Sequence, residues 1–293
     1  MNPATAMYII QALHGLAYGM LLFLVASGLT LIFGMVGILN MAHASLFMLS
    51  AYLCYQVLAF TNSFWMSLFL APLITACLGL LLERFFLRKV QAHGLGHIAE
   101  LLLTMGISMV IAESVKSIWG TESLVISIPP SLDGLASFAG IHYPIYRLFI
   151  IGLSFCILAL LVTVLYKTKL GKIIRATASD PGMVSILGIN TPKVFAGVFA
   201  LGAWMAGVAG VAAAPMLTVF PGLADQVGMD AFVVVVVGGL GSLLGAFVVS
   251  LTLGELNSFG VQFIPKLAPV LVFGFMAIVL SLKPNGFFGE GDH

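Results

Sequence analysis

Apolar residues run along this chain in long blocks, and polar residues collect in the short gaps between them. A helix crosses a bilayer on about 20 consecutive, mostly apolar residues. The stretches Tyr8–Phe33, Met41–Phe60, Phe64–Leu82, Ala99–Ile118, Tyr146–Tyr166, Val194–Ala214 and Lys266–Leu282 meet that requirement. A further apolar stretch, Met229–Ser258, is interrupted by Gly238-Gly239-Leu240-Gly241-Ser242. Glycine also interrupts the pattern at Gly34-Met35-Val36-Gly37-Ile38-Leu39-Asn40, between the first two spans. The pattern predicts an all-α fold: a polytopic membrane helix bundle with about eight transmembrane segments. Its helices should be broken or re-entrant near residues 34–40 and 238–242. Each break follows one long apolar helix and precedes another, as in transporters built from internal repeats. No gap holds a separate soluble domain, so residues 1–293 read as one membrane domain.

Lysine and arginine in the short loops set the orientation. The loop Glu83–His97 carries Arg84, Arg88 and Lys89, and the loop Lys167–Lys193 carries Lys167, Lys169, Lys172, Arg175 and Lys193. The segment Trp119–Pro144 has no Lys or Arg but contains Glu122 and Asp133. The first two loops are therefore expected in the cytoplasm, the third outside, and the N-terminus outside. Asp225 and Asp230 then fall at the outer face. The stretch Met229–Ser258 has about 30 residues, too few for two full crossings at 1.5 Å per residue. A single crossing would leave Lys283 outside, against the charge rule. The stretch is expected to dip in and return, turning at Gly238–Ser242 and leaving Lys283 inside.

Composition narrows the class. Charged residues make up 8% of the chain and hydrophobic ones 61%, whereas roughly 25% of an ordinary soluble domain is charged. The mean hydropathy is +1.14. A formal net charge of +1 gives no field to attract nucleic acid. Met1–Met7 has no basic residue before the first apolar run, so no cleaved signal peptide is expected. Cys54, Cys77 and Cys156 each sit in an apolar run and read as small buried hydrophobes. There is no His-Glu-x-x-His and no Gly-x-x-x-x-Gly-Lys-Ser/Thr phosphate loop. The chain is not read as an enzyme, and no metal or cofactor is expected. Glu113 and Lys116 read as a local pair near a helix end, Glu255 as a helix-end contact, and Glu100 as a carboxylate favoured by its helix dipole.

The long basic loop, about residues 167–193, is the most informative segment. Asp180 is placed to cap a short helix, Pro181 fits its first position, and Gly188 its stop. Met183, Ile186 and Leu187 share one face. Two readings are open for such a helix: docking to a cytoplasmic partner, or rest on the membrane surface. Arg175, just before it, reads as a contact to a partner or to lipid phosphate. The glycine breaks point to a translocation path, because backbone freed at membrane depth must face protein or a water-filled cavity. Gly238, Gly239 and Gly241 form one break, and Asn40, His43 and Ser242 supply the nearest polar groups. The other reading is that these groups only satisfy broken backbone and allow close helix packing.

Several motifs in shared order resemble the permeases of branched-chain amino acid ATP-binding cassette importers, the high-affinity leucine/isoleucine/valine type. Gly171, Arg175, Ala176, Asp180, Leu187, Gly188, Ile189 and Asn190 resemble the family's coupling-loop pattern. Gly28-Leu29-Thr30-Leu31-Ile32-Phe33-Gly34 leads to Asn40-Met41-Ala42-His43, similar to the family's Asn-Phe-Ala-His-Gly. Glu83-Arg84, Gly238-Gly239-Leu240-Gly241-Ser242 with Gly245-Ala246, and Pro284-Asn285-Gly286-Phe287-Phe288-Gly289 continue the likeness over nearly the whole chain. Met41, Ala44 and Val184-Ser185 depart from it. The resemblance implies a multi-pass permease subunit in the bacterial inner membrane. It implies as partners a second permease subunit, two cytoplasmic ATPase subunits, and a periplasmic binding protein that delivers branched-chain or related amino acids. Urea, short amides or aromatic acids are alternative substrates within the family. An ion-coupled secondary transporter is the alternative of a different class. The resemblance further implies that Arg175, Asp180, Met183, Ile186, Leu187 and Gly188 couple the chain to the ATPase.

Overall fold

The computed structural model describes residues 3–37, 40–94, 96–138 and 141–289. Helix α1 (Pro3–Val36) has 34 residues and reaches about 51 Å at 1.5 Å per residue. It is buried all round from Gly19 to Thr30. A helix apolar on every side must be surrounded, and α1 is the central post of the bundle. Then come α2 (Ala42–Thr61) and α3 (Phe64–Leu82), the latter continuing through a π-helical turn, Glu83–Leu87, into α4 (Arg88–Ala92) and followed by α5 (Gly96–Trp119).

Strands β1 (Leu135–Phe138) and β2 (Ile141–Pro144) form an antiparallel hairpin with Leu135 opposite Pro144. This hairpin is the one departure from the all-helical expectation among the described strands. It lies in the segment without Lys or Arg, where backbone outside the apolar spans still needs partners.

Helix α6 (Ile145–Val162) ends in a second π-helical turn, Thr163–Lys167. The basic loop then folds as α7 (Lys169–Ser179) and α8 (Pro181–Ile186). The chain finishes with α9 (Thr191–Ala213), α10 (Leu223–Gly238), α11 (Leu243–Phe263) and α12 (Ala268–Leu282). Among the described residues, eight helices are long and apolar enough to cross a membrane, as the pattern predicts. The 16-residue α10 is not one of them.

Helix α1 lies antiparallel on α11 at backbone contact. A Cβ on Gly254 would sit 2.3 Å from the Gly15 carbonyl oxygen, and one on Gly19 would sit 2.7 Å from that of Ser250. Small residues here let the two backbones meet, the usual device of membrane helix pairs. The α1 end and the α10–α11 turn also meet, because a Cβ on Gly34 would be 3.0 Å from the Gly241 Cα.

Both glycine breaks exist, with bounds that differ from the sequence pattern. Helix α1 continues through Gly34 to Val36 and turns only at Gly37, whose φ is +72°. Ile38 and Leu39 lie outside the described residues. The second break occupies Gly239–Ser242, with Gly239 at φ +99° and Gly241 at +85°. Its limbs are longer than the expected dip. The 21-residue α11 is itself a full span, and only α10 is short. Asp225, Asp230 and Glu255 interrupt the apolar pattern without ending the helices.

The α2 helix starts deep in the bundle. It runs parallel to α5: the Ser45 and Ser108 hydroxyls meet at 2.7 Å, and Trp119 Nε1 donates to Gln56 Oε1 at 3.0 Å. Ser108 is near the middle of α5, so α2 begins about half-way through the bundle. The same gauge corrects the placement of Asp230. Gly228 of α10 packs on Ala44, beside Ser45, so Asp230 sits near mid-height and not at the outer face. The connection before α10 pairs Val219 with Leu124 in an isolated antiparallel bridge and leaves Val219 fully buried, while the depth of Asp230 itself is set by its contact with Tyr18 of α1.

Candidate functional site

Three capping residues shape the basic loop in turn. The Thr168 hydroxyl accepts from Gly171 N at 3.1 Å and starts α7. Asp180 Oδ1 accepts from Met183 N at 2.9 Å and starts α8, with Pro181 in its first turn. Asn190 Oδ1 accepts from Lys193 N at 3.1 Å and starts α9. Gly188, at φ +82°, ends α8, and Ile189 N donates back to the Val184 carbonyl at 3.3 Å. Val184 alone turns inward, at 4% exposure. Met183, Ile186 and Leu187 are 61, 87 and 71% exposed. The result is a short helix pinned at both ends and by one buried valine, presenting three apolar side chains outward.

Arg175 points the other way. Its Nη1 donates to the Leu165 carbonyl, and its guanidinium lies 5.0 Å over the Tyr166 ring. It ties α7 to the π-helical end of α6. It also lines a cavity of about 740 Å³ at the basic face, with Thr30, Gly34, Gly241, Ser242 and Asn285 on the other walls. The basic loop and the α10–α11 turn therefore border one space.

The proposed path residues fall into two groups. Gly238, Gly239, Gly241 and Ser242 lie together at the α10–α11 turn. There a Cβ on Gly238 would be 2.6 Å from the Gly245 carbonyl carbon, and one on Gly239 would be 2.3 Å from Gly289 N. Ser242 caps α11, its hydroxyl accepting from Gly245 N at 3.1 Å. Asn40 and His43 lie apart from that turn. Asn40 is buried, and its Oδ1 accepts from Ala42 N at 3.1 Å. His43 is buried against Gly28, its Nε2 3.1 Å from the Val25 carbonyl oxygen. Asn40 Nδ2 and His43 Nδ1 have no partner among the described residues.

One element was not legible in the sequence. Glu83, buried in the π-helical turn after α3, receives three hydrogen bonds from Arg88, the shortest 2.8 Å. Arg88 Nη2 also donates to the Pro192 carbonyl at 3.0 Å, just past α8. This fork joins α3 to the start of α9. Replacing Arg88 with Ala leaves the buried Glu83 carboxylate unpaired, a loss of about 1–2 kcal/mol, between that of exposed and of fully buried pairs because Arg88 is partly open to solvent. Denaturant titration of the purified Arg88→Ala protein checks this. A midpoint equal to wild type would show that the fork carries no stability.

Residues 11–280 match the family described as branched-chain amino acid transport system / permease component. The chain belongs to that family. It is thus a transport permease, not a member of a catalytic family, and a multi-pass inner-membrane protein. It is 29% identical to the high-affinity branched-chain amino acid transport system permease protein BraD of Pseudomonas aeruginosa, over 99% of this chain and 98% of that one. It is 28% identical to the permease protein LivH of the same kind of system in Salmonella typhimurium, over 96% of each chain. A probable branched-chain amino acid transport permease of Methanocaldococcus jannaschii is 25% identical, over 93% of this chain and 90% of that one. No solved structure matches.

Proposed function

We propose that this chain is the membrane permease of an ATP-driven importer for branched-chain amino acids. It works with a second permease subunit, two cytoplasmic ATPase subunits and an external substrate-binding protein. The observation that carries the reading is the capped α8 helix, with Met183, Ile186 and Leu187 exposed at the basic face of a chain in this family. An apolar helix face laid into a groove is a common docking mode. The basic face is cytoplasmic by the loop-charge rule, the side on which ATP is bound.

The coupling follows from the connections of α8. On one side it continues into α7, whose Arg175 is tied to α6 and walls the cavity. On the other it leads to α9, held to α3 by the Arg88–Glu83 fork. A push on α8 is delivered to both halves of the bundle. Gly238, Gly239 and Gly241 mark the close-packed turn against which the cavity closes, and Asn40 and His43, apart from that turn at the deep α1–α2 break, are the second candidates for the path. Swinging a bundle from 1:99 to 99:1 between two states needs about 5.5 kcal/mol of differential binding. The ATPases supply it by closing on ATP. Hydrolysis then resets the state.

Proteoliposomes holding the chain with its partners decide the reading. Uptake of labelled leucine, isoleucine and valine should require both ATP and the binding protein. Uptake by this chain alone on a proton or sodium gradient would overturn it in favour of a secondary transporter. ATP-dependent uptake of urea or aromatic acids in place of leucine would keep the mechanism and change the substrate.

A further inference from the structure

Asp230 is a carboxylate near the middle of a membrane bundle, and nothing in the coupling scheme uses it. Its height is set by Gly228 packing on Ala44, next to the Ser45–Ser108 contact at mid-α5. Its Oδ2 accepts the Tyr18 hydroxyl of α1 at 2.7 Å. Among the described residues no Lys, Arg or His nitrogen lies within 4.0 Å of it. The side chain is half-buried, and on the same helix Gln226 is exposed and Met229 is 51% exposed. The carboxylate thus opens toward a face of α10 that this chain leaves uncovered. Hydrocarbon is a costly neighbour for such a group, and ionisable side chains at this depth normally face a partner or a water-filled path. The helix that carries it is also the short limb of a broken hairpin, the kind of element that builds midplane sites in transporters.

We infer that Asp230, positioned by Tyr18, receives the α-ammonium group of the transported amino acid half-way along the path. The inference rests on the importer reading above. A zwitterionic substrate brings the cation that the site lacks, and the exposed Met229 beside it offers apolar contact to an aliphatic side chain. The Tyr18 hydroxyl occupies one oxygen and leaves the other for the ligand.

Asn at this position separates recognition from structure. Its Oδ1 still accepts the Tyr18 hydroxyl, so a purely structural Tyr–Asp bond survives the change, whereas an ammonium site loses its charge. The assembled complex carrying Asp230→Asn should take up labelled leucine about tenfold more slowly, the scale of one charge-assisted hydrogen bond. ATPase stimulation by the liganded binding protein should be retained, and Asp230→Glu should recover part of the uptake. Uptake by Asp230→Asn at the wild-type rate overturns the inference. If Asp230→Asn fails to assemble, Tyr18→Phe decides. Uptake reduced about threefold with ATPase unchanged supports the site, and unchanged uptake overturns it. The wild-type complex run in parallel keeps the two readings apart, because failure of wild type to import leucine counts against the importer proposal itself.

Discussion

Leu187→Asp should lower substrate uptake by tenfold or more while the protein still inserts and accumulates in the membrane. Leu187 is 71% exposed and makes no contribution to the core of this chain. Burying a leucine or methionine side chain in a partner's groove contributes about 1.5–3 kcal/mol. An aspartate there forfeits that term and adds the cost of desolvating a charge, so docking weakens by about 3–5 kcal/mol, or two to three orders of magnitude. The fold of α8 is untouched, since its cap at Asp180, its stop at Gly188 and its anchor at Val184 all remain. Met183→Asp should behave alike, being 61% exposed on the same helix. The measurements are ATP-driven uptake and the amount of permease in washed membranes. Normal uptake in both variants would remove α8 from the coupling path and leave the membrane-surface reading of this helix.

Gly254→Val should reduce stability by about 3 kcal/mol or more, at the upper end of overpacking penalties. The obstacle is backbone. A Cβ at 254 would sit 2.3 Å from the Gly15 carbonyl oxygen and 2.5 Å from Gly19 N. No rotamer can relieve a clash with main chain, so α1 and α11 must separate. Their polar ties lie close by, with the Ser258 hydroxyl donating to the Gln11 carbonyl at 2.8 Å and Gln11 Nε2 donating to the Ser258 carbonyl. Separation strains these too. Gly152→Val is the control, because a Cβ there meets nothing within 4 Å. Thermal aggregation of the detergent-solubilised proteins compares the two. A Gly254→Val protein as stable as wild type would show that the α1–α11 contact is looser than drawn.

The spans were legible because lipid imposes the simplest pattern of all, about 20 apolar residues in a row. The cap at Asp180 was legible because capping is local: a short polar side chain meets a backbone N–H three residues on. What escaped the sequence depends on contacts between distant residues. Arg88 reaches Pro192 across 104 residues of sequence, and Tyr18 reaches Asp230 across 212. Asp230 was placed outside because a polar residue near the start of an apolar run marks a surface by default. Only the fold shows its depth, through the Tyr18 hydroxyl and the packing of Gly228 on Ala44. The α1–α2 break was placed early for a related reason. Gly34 looks like a helix breaker in sequence, yet it serves to admit Gly241 against an unbroken helix. The hairpin of β1 and β2 gave no alternating signal strong enough to register in its short strands.

The final segment has an implication for how the molecule is made. Phe287 N donates to the Val237 carbonyl at 2.8 Å, and Phe288 N to the Gly238 carbonyl at 3.1 Å. These are the open carbonyls at the end of α10, and the residues that close them are made only after α12. While the ribosome still holds α12, the α10–α11 turn has no backbone partners for them. The turn can therefore reach its finished geometry only once Phe288 has been made, so α10 and α11 wait for a segment that follows α12. A fusion partner attached directly after Lys283 would leave those carbonyls open.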